Sequence, residues 1–262
     1  MEIELIDTHA HLYLKEFEKD EKEVLSRARD ASVKRVFLPN IDTLSVEKML
    51  AMCKSNKGIL YPMIGLHPTS VKEDYQHDLK ILRNFIPGNE FIAIGEIGID
   101  LYWDQSFFRQ QQIAFREQLN WGKEHHLPVV IHARDSFDEI FTIMDEEISP
   151  GLQGVFHSFT GNAAQAEKIL SYDFYIGING IVTFKNSGLA DVVKTIPPEK
   201  LLLETDAPFL APVPYRGKRN ESSYVRHVAD KISDIFGMGI EEVANITTTN
   251  ALNLFTKASY HE

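Results

Sequence analysis

Short apolar runs alternate with longer amphipathic stretches from one end of this chain to the other. The runs are rich in Val, Ile, Leu and Phe, which is typical of strands buried on both faces of a parallel sheet. Eight strands are predicted, at Ile3–His9, Arg35–Pro39, Leu60–Leu66, Phe91–Glu96, Val129–His132, Gly154–His157, Phe174–Ile178 and Leu201–Asp206.

About one helix separates each strand from the next. Helices are predicted at Glu21–Ala31, Ser45–Ser55, Asp74–Phe85, Ser106–His125, Ser136–Ile148, Asn162–Ser171 and Ser187–Ile196, then at Ser222–Phe236 and Ile240–Thr249, and a terminal segment follows at Asn250–Lys257. Eight such units in 262 residues fit a (β/α)8 TIM barrel, which usually takes ~250 residues. We therefore expect one α/β barrel domain over residues 1–262. An open dinucleotide-binding sheet is disfavoured because no Gly-x-Gly-x-x-Gly turn follows the first strand.

Composition limits the classes of partner. A formal charge of −11 works against a protein that wraps duplex nucleic acid, because such binding needs many Lys and Arg contacts to phosphate. Cys53 is the only cysteine, so no internal disulfide is possible, and its apolar helical surroundings predict a buried thiol. No signal-peptide stretch or membrane span is apparent. We expect a cytoplasmic protein without a membrane contact or an obligate protein partner.

Metal-ligand side chains follow several of the apolar runs directly. His9 and His11 stand two apart at the end of the first run, so a strand would point both imidazoles to the same side. Parallel strands of a barrel bring their carboxyl ends to one rim. Six residues of this type are predicted at that rim, namely His9, His11, Glu96, His132, His157 and Asp206. Their number favours a metal site over six separate structural roles.

These residues stand in blocks that resemble the TatD family of metal-dependent deoxyribonucleases, which belongs to the amidohydrolase-type barrels. The blocks are Asp7–His11, Gly95–Asp100, Pro128–Asp135, His157–Phe159 and Leu203–Pro208, and together they span nearly the whole chain. The resemblance implies a barrel of the metal-dependent hydrolase type.

The same resemblance implies two divalent ions. His9, His11, Glu96 and Asp206 would hold the first, and Glu96 would bridge to a second held by His132 and His157. The loop 215–221 also resembles the family, although Ser222 and Ser223 follow it here where the family usually has a proline. Four histidines favour Zn, Mn, Co or Ni over Mg, while the family also permits Mg.

Two ions can generate hydroxide from water and stabilise the oxygens of a displacement at phosphorus. Asp206 is our candidate general base. Glu204 lies on the same face of the eighth strand as Asp206 and is a second candidate for catalysis. It could also be an outer metal ligand, a support for a ligating histidine or a structural hydrogen-bond acceptor. The resemblance implies DNA as the substrate, and the few cations available to follow a duplex favour a strand end or a single strand.

Three residues are predicted to contact that substrate. His67 follows the third strand, where it can donate to a substrate oxygen or cap a turn. Arg134 can contact a phosphate or pair with Asp100 or Asp135. Arg216 stands with Lys218 and Arg219 in a dense basic cluster on the long connection after the last strand. Tyr102 and Trp103 follow the fourth strand, either stacked on a base or packed on the loop.

Two other functions remain open at this stage. The barrel could hydrolyse a small amide, ester, lactone or aminoacyl substrate, although Glu96 stands where many such enzymes carry a modified lysine. It could also be a non-catalytic binding protein that a metal stabilises, but two ions that share six ligands leave room for water.

Overall fold

The computed structural model describes residues 3–259. Its eight strands form one parallel sheet in which each strand pairs with its successor in the chain. The strands are β1 (Leu5–Asp7), β2 (Val33–Pro39), β3 (Leu60–Ile64), β4 (Ala93–Asp100), β5 (Val129–Arg134), β6 (Gly154–Phe156), β7 (Tyr175–Ile178) and β8 (Leu201–Leu203). The predicted TIM barrel is confirmed.

Helices surround the sheet in the predicted order. They are α1 (Glu21–Asp30), α2 (Val46–Ser55), α3 (Tyr75–Phe85), α4 (Phe108–His125), α5 (Phe137–Glu147), α6 (Ala163–Ser171), α7 (Leu189–Val193), α8 (Val225–Phe236) and α9 (Ile240–Leu254). Short 3-10 turns lie at Lys15–Phe17, Pro68–Ser70, Gly180–Thr183, Pro198–Lys200, Ser222–Tyr224 and Thr256–Ser259. The helix predicted over 187–196 is much shorter, and the helix predicted over 240–249 continues into the terminal segment as far as Leu254. Within residues 3–259, no helix is long and apolar enough to cross a bilayer.

Successive strand residues alternate between two apolar regions. On β5, Val129 and Ile131 pack outward against the helices, whereas Val130 packs inside the barrel. His132 has the same parity as Val130 and therefore faces the barrel axis. The period-2 pattern thus aims the ligand-type side chains inward once a strand reaches the rim.

The amino-terminal end of the barrel is closed by α9. Leu254 and Phe255 pack against the inner strand residues, including Phe37, and the Asn250 amide donates to the carbonyl oxygen of Leu201 at the start of β8. Among residues 3–259, this end is covered by α9, and the predicted ligands lie at the opposite, carboxyl end of the barrel.

An irregularity in β4 sets the direction of Glu96. Ile94 and Ile97 both pack outward although they are three residues apart, because the register with β5 shifts between them. Glu96 and Asp100 consequently face inward on the same side. Gly98, between them, has φ +143°, and a Cβ there would collide with the carbonyl oxygen of His132. The strand predicted to end at Glu96 continues to Asp100, so Glu96 lies within β4 and not at its end.

The seam between β8 and β1 completes the barrel through a few polar contacts. The Thr8 N–H donates to the Leu203 carbonyl at 3.0 Å. The buried Asp7 carboxylate accepts the Thr205 N–H at 2.9 Å and the Thr205 hydroxyl at 2.7 Å. β1 ends at Asp7, so His9 and His11 lie beyond the strand that was predicted to carry His9.

Replacing Asp7 by Ala is expected to lower the free energy of unfolding by about 2–3 kcal/mol, because two buried donors of Thr205 lose their acceptor. Denaturant titration followed by circular dichroism measures the change. Asp191→Ala is the matched control, since that side chain is 85% exposed and its removal should leave the midpoint nearly unchanged. Equal midpoints for the two variants would contradict the assigned role of Asp7.

Cys53 is 6% exposed on α2, and burial raises the pKa of its thiol to about 12. Because the thiolate is the reactive form, the native protein should not react with Ellman's reagent at pH 8. In guanidinium chloride the same sample should release one equivalent of chromophore. Rapid reaction of the native protein would show that the thiol is accessible.

Candidate metal centre

The Glu96 carboxylate, 2% exposed, lies at the middle of the cluster. Its Oε2 is 3.1 Å from His9 Nε2 and 3.8 Å from His11 Nε2. Asp206 faces the same two rings, with Oδ1 3.9 Å from His9 Nε2 and 3.6 Å from His11 Nε2. Oε2 of Glu96 therefore faces the group formed by His9, His11 and Asp206.

The other oxygen of Glu96 faces a different set of rings. Oε1 is 2.7 Å from His132 Nδ1, 2.7 Å from His157 Nε2 and 3.3 Å from His67 Nε2. The His132 and His157 nitrogens are 3.4 Å apart. All six residues that the sequence predicted as ligands converge here, and His67 joins them.

Asp206 is one of three cluster residues that reach solvent, together with His67 and His132. Its side chain is 14% exposed, against 2% for Glu96. Its backbone is left-handed, with φ +59°, and its N–H donates to the His9 carbonyl at 2.8 Å. This tie between the end of β8 and the segment after β1 holds Asp206 beside the two histidines.

Hydrogen bonds on the outer side of the rings set which nitrogen carries hydrogen. The Tyr13 hydroxyl donates to the Pro39 carbonyl at 2.7 Å, so at 3.1 Å it accepts from His11 Nδ1–H. The inner Nε2 of His11 is then the unprotonated nitrogen of the neutral ring.

The Asp100 carboxylate does the same for His132, and the Glu204 carboxylate lies close behind His157, whose Nδ1 forms no hydrogen bond among the described residues. Asp100 Oδ2 is 2.9 Å from His132 Nε2, on the side of the ring away from Glu96. Glu204 Oε1 is 3.4 Å from His157 Nδ1 and also accepts the Ser158 N–H. Such acceptors behind a histidine fix its orientation and leave the inner nitrogen as a donor atom for a metal.

His67 has the opposite arrangement. Its Nδ1 accepts the Thr69 N–H at 3.1 Å, so in the neutral ring the hydrogen is on Nε2. That nitrogen faces Glu96 Oε1. His67 therefore presents an N–H group to the site, whereas the neutral His11 ring presents a lone pair. It also caps the turn at Pro68–Ser70.

The electrostatics of the cluster centre on Glu96. Burial would raise its pKa, but facing imidazoles, with His157 the largest contributor, hold it well below its usual range. Burial would lower the pKa of His157, but Glu96 and Glu204 hold it well above the ordinary value. Burial and the charge of His157 lower the pKa of His9. Without a metal ion, a proton on His157 supplies the positive charge that Glu96 requires.

Three sets of donor atoms are close enough to share an ion, with all atoms of a set within 4.8 Å of one another. They are His9, His11 and Asp206; His9, Glu96 and His157; and His67, Glu96 and His132. An unprotonated nitrogen and a carboxylate oxygen repel each other unless a positive charge lies between them. Borderline-soft imidazoles mixed with carboxylates are suitable ligands for divalent transition metals, so this centre fits such ions.

Of the predicted substrate residues, His67 lies in the cluster, and the two arginines lie farther out. The Arg134 guanidinium is 3.9 Å from the centroid of the Tyr102 ring, and Arg216 lies 4.5 Å over Phe184. Arg219 is bound to Asp20, with Nη2 2.6 Å from Oδ2. It is therefore committed to a structural ion pair, and the predicted basic cluster is reduced to Arg216 and Lys218.

Sequence reasoning missed the roles of Asp100 and Tyr13. Asp100 carried a usable signal, since it stands four residues after Glu96 on the same face of β4. Tyr13 carried none, because its role depends on the Pro39 carbonyl, which a different strand supplies.

Comparison with known proteins identifies the family. The family model described as "TatD related DNase" matches residues 6–256. The chain belongs to the TatD family. It is 40% identical over 252 residues to the uncharacterized metal-dependent hydrolase YabD of Bacillus subtilis, covering 96% of this chain and 98% of that protein. It is a metal-dependent hydrolase of that family.

Two further relatives extend the comparison. The chain is 31% identical over 257 residues to the 3'-5' ssDNA/RNA exonuclease TatD of Erwinia amylovora, covering 96% of this TatD-family chain and 99% of that one. The crystal structure of the TatD homologue YjjV from Escherichia coli superposes with a TM-score of 0.90 at 30% identity, covering 96% and 98% of the two chains.

Metal binding is expected to strengthen as the pH rises above 6.5. The raised pKa values of His157 and His132 mean that protons occupy nitrogens that an ion needs, and fewer protons compete at higher pH. Calorimetric titration of the metal-free protein with Mn²⁺ at pH 7, in buffers of different ionisation enthalpy, should show release of about one proton or more. Zero proton release would contradict the assigned protonation.

Proposed function

We propose that this TatD-family hydrolase is a deoxyribonuclease that cleaves phosphodiester bonds at strand ends or in single-stranded DNA, with two divalent ions at the centre. The observation that carries the proposal is that the two oxygens of Glu96 face two separate groups of imidazoles. A relative named as a 3'-5' ssDNA/RNA exonuclease, aligned over nearly its whole length, supports the substrate class.

In this proposal His9, His11 and Asp206 hold one ion, His132 and His157 hold the other, and Glu96 bridges them. Bound ions would lower the pKa of coordinated water and neutralise charge that develops at phosphorus. The four histidines favour Zn, Mn, Co or Ni as the native metal.

Asp206 is the proposed general base. Burial would raise its pKa, but His11 and the neighbouring imidazoles lower it, so the carboxylate is charged and ready to accept a proton at neutral pH. Its partial exposure supports the assignment, because the proton taken from water must later leave the site.

His67 is the proposed donor to substrate. Its Nε2–H points into the centre, where it can donate to a phosphoryl oxygen as negative charge develops there. The same hydrogen makes it a poor ligand for the ion beside His132, so we leave it out of the ligand set.

Glu204 is better supported as a positioning residue than as a catalytic one. Its carboxylate lies behind His157, away from Glu96, and is 1% exposed. It therefore acts on substrate only through the ring that it orients. Asp100 has the equivalent relation to His132.

Arg216 and Arg134 are the cations proposed to meet substrate at the mouth. Neither guanidinium lies within ion-pair distance of a carboxylate in the part of the chain that the structure describes. The net charge of the chain is −11. Two arginines at the mouth are therefore better suited to contact with one strand end than to contact along a duplex.

Asp206→Asn is expected to lower kcat on a single-stranded oligonucleotide by about 10²-fold or more, since it removes the proposed base. Metal content by mass spectrometry separates this loss from loss of an ion. Asp173→Asn is the matched control, because Asp173 is also left-handed (φ +64°) but is 83% exposed beside Lys200.

The function itself is tested by offering the metal-loaded protein single-stranded, recessed and duplex DNA beside ester, lactone and amide substrates. Hydrolysis of the oligonucleotides supports the nuclease. Hydrolysis of the small substrates with none of the oligonucleotides would replace it with an amidohydrolase. Unchanged turnover in Asp206→Asn would remove Asp206 from the mechanism.

A further inference from the structure

Large apolar side chains are exposed mainly around the mouth of the barrel. Seven exceed about a third exposure among residues 3–259. They are Leu44, Tyr102, Trp103, Phe209, Leu210 and Val213, all in loops that follow strands, and Ile113 on the outer face of α4. Exposed apolar surface gathered at one place marks a binding site. Here that place is the entrance to the metal centre.

Three of the mouth residues form a compact unit, which we call the rim platform: Tyr102, Trp103 and Arg134. The two aromatic rings meet edge to face, with centroids 4.9 Å apart. The Arg134 guanidinium lies 3.9 Å from the Tyr102 centroid and 5.4 Å from that of Trp103. Trp103 is 68% exposed and Tyr102 is 54% exposed, so aromatic surface remains open to a ligand.

Asp100 connects this platform to the metal centre. Its Oδ1 accepts the N–H groups of Tyr102 at 3.0 Å and Trp103 at 3.1 Å. Its Oδ2 is bound to His132 Nε2 at 2.9 Å. Arg134 is opposite Asp100 in the β4–β5 pairing. One buried carboxylate therefore fixes both the aromatic turn and a ring of the centre.

We propose that the rim platform binds the nucleobase of a single-stranded substrate by stacking on Trp103, and so positions the adjacent phosphodiester at the metal centre. This inference rests on the proposed nuclease function and names the part of the substrate that the site recognises. Exposed aromatic faces stack on any base, and Arg adds attraction for the same ligand.

The platform accounts for strand preference in physical terms. A base inside a duplex already has both faces covered by its neighbours, so it has no face to offer Trp103. A base at a frayed end or in a single strand does. Stacking also needs no further cations, which suits a chain with a net charge of −11.

The binding experiment uses the tryptophans themselves. The chain has two, and Trp121 is fully buried, so quenching by a ligand reports on Trp103. Metal-loaded protein is titrated with a single-stranded phosphorothioate oligothymidylate, which resists cleavage. We expect saturable quenching of tryptophan fluorescence in the wild type and its loss in Trp103→Phe. Because Phe keeps an aromatic face, this variant should retain affinity for the oligonucleotide in a competition assay.

The kinetic experiment compares an oligonucleotide that has an intact terminal base with one whose terminal nucleotide is abasic. Trp103→Ala should raise KM for the intact substrate by about 10-fold, with a smaller effect on kcat. The ratio of kcat/KM between intact and abasic substrates should fall toward one. Ile113→Ala, the matched control away from the mouth, should keep the wild-type KM and ratio.

Two outcomes would overturn the proposal in distinguishable ways. If the wild type cleaves single-stranded DNA and Trp103→Ala keeps both its KM and its preference for an intact base, the platform is not a base-binding site and the nuclease assignment stands. If the wild type cleaves no oligonucleotide and shows no quenching, the proposed function fails together with the platform.

Discussion

A single buried carboxylate determines the arrangement of this protein's functional end. A charge as deeply buried as Glu96 must be paired, because its desolvation is otherwise too costly. The pairing comes from imidazoles on β1, β3, β5 and β6, or from the loops that follow them, with oxygens 2.7–3.3 Å from the nitrogens of four of the rings. Those rings converge only if the barrel closes, so the seam at Asp7 and the centre at Glu96 depend on the same event.

The sequence predicted the fold and the converging residues because strand parity is a local property. Val130 and His132 share a face wherever β5 is placed, and the same holds for Leu202 and Glu204. The prediction was less accurate for β4 and β1. The shift between Ile94 and Ile97 breaks parity, and the segment at His9 is held by Asp206 from the other end of the chain. Neither the register shift in β4 nor the Asp206–His9 hydrogen bond leaves a periodic pattern in the sequence.

Hydrogen-bond direction is the part of the site that no sequence pattern gave. His67 and His132 look alike in sequence, each after an apolar run, yet a backbone N–H from Thr69 faces one ring and the Asp100 carboxylate faces the other. The neutral His67 ring therefore presents an N–H group to the site, and the neutral His132 ring presents an unprotonated nitrogen. Arg219 illustrates the same point for charge. The basic neighbours of Arg219 in the sequence predict a phosphate contact, but its guanidinium is bound to Asp20, which is 199 residues away in the chain.

The second layer of contacts also bears on the proposed action of an acidic protein on a polyanion. His11 and His132 each have a hydrogen-bonded acceptor behind the ring, so these two rings are oriented before any cation arrives, whereas Nδ1 of His9 has no partner among the described residues. In the proposed function, bound ions would supply most of the positive charge at the site, with Arg134 and Arg216 at the entrance of a chain whose net charge is −11. In that proposal a strand would be held mainly near the atoms that react. Affinity for the remainder of the polymer would add binding without lowering the barrier, so the scarcity of surface cations is consistent with an enzyme that engages one strand end at a time.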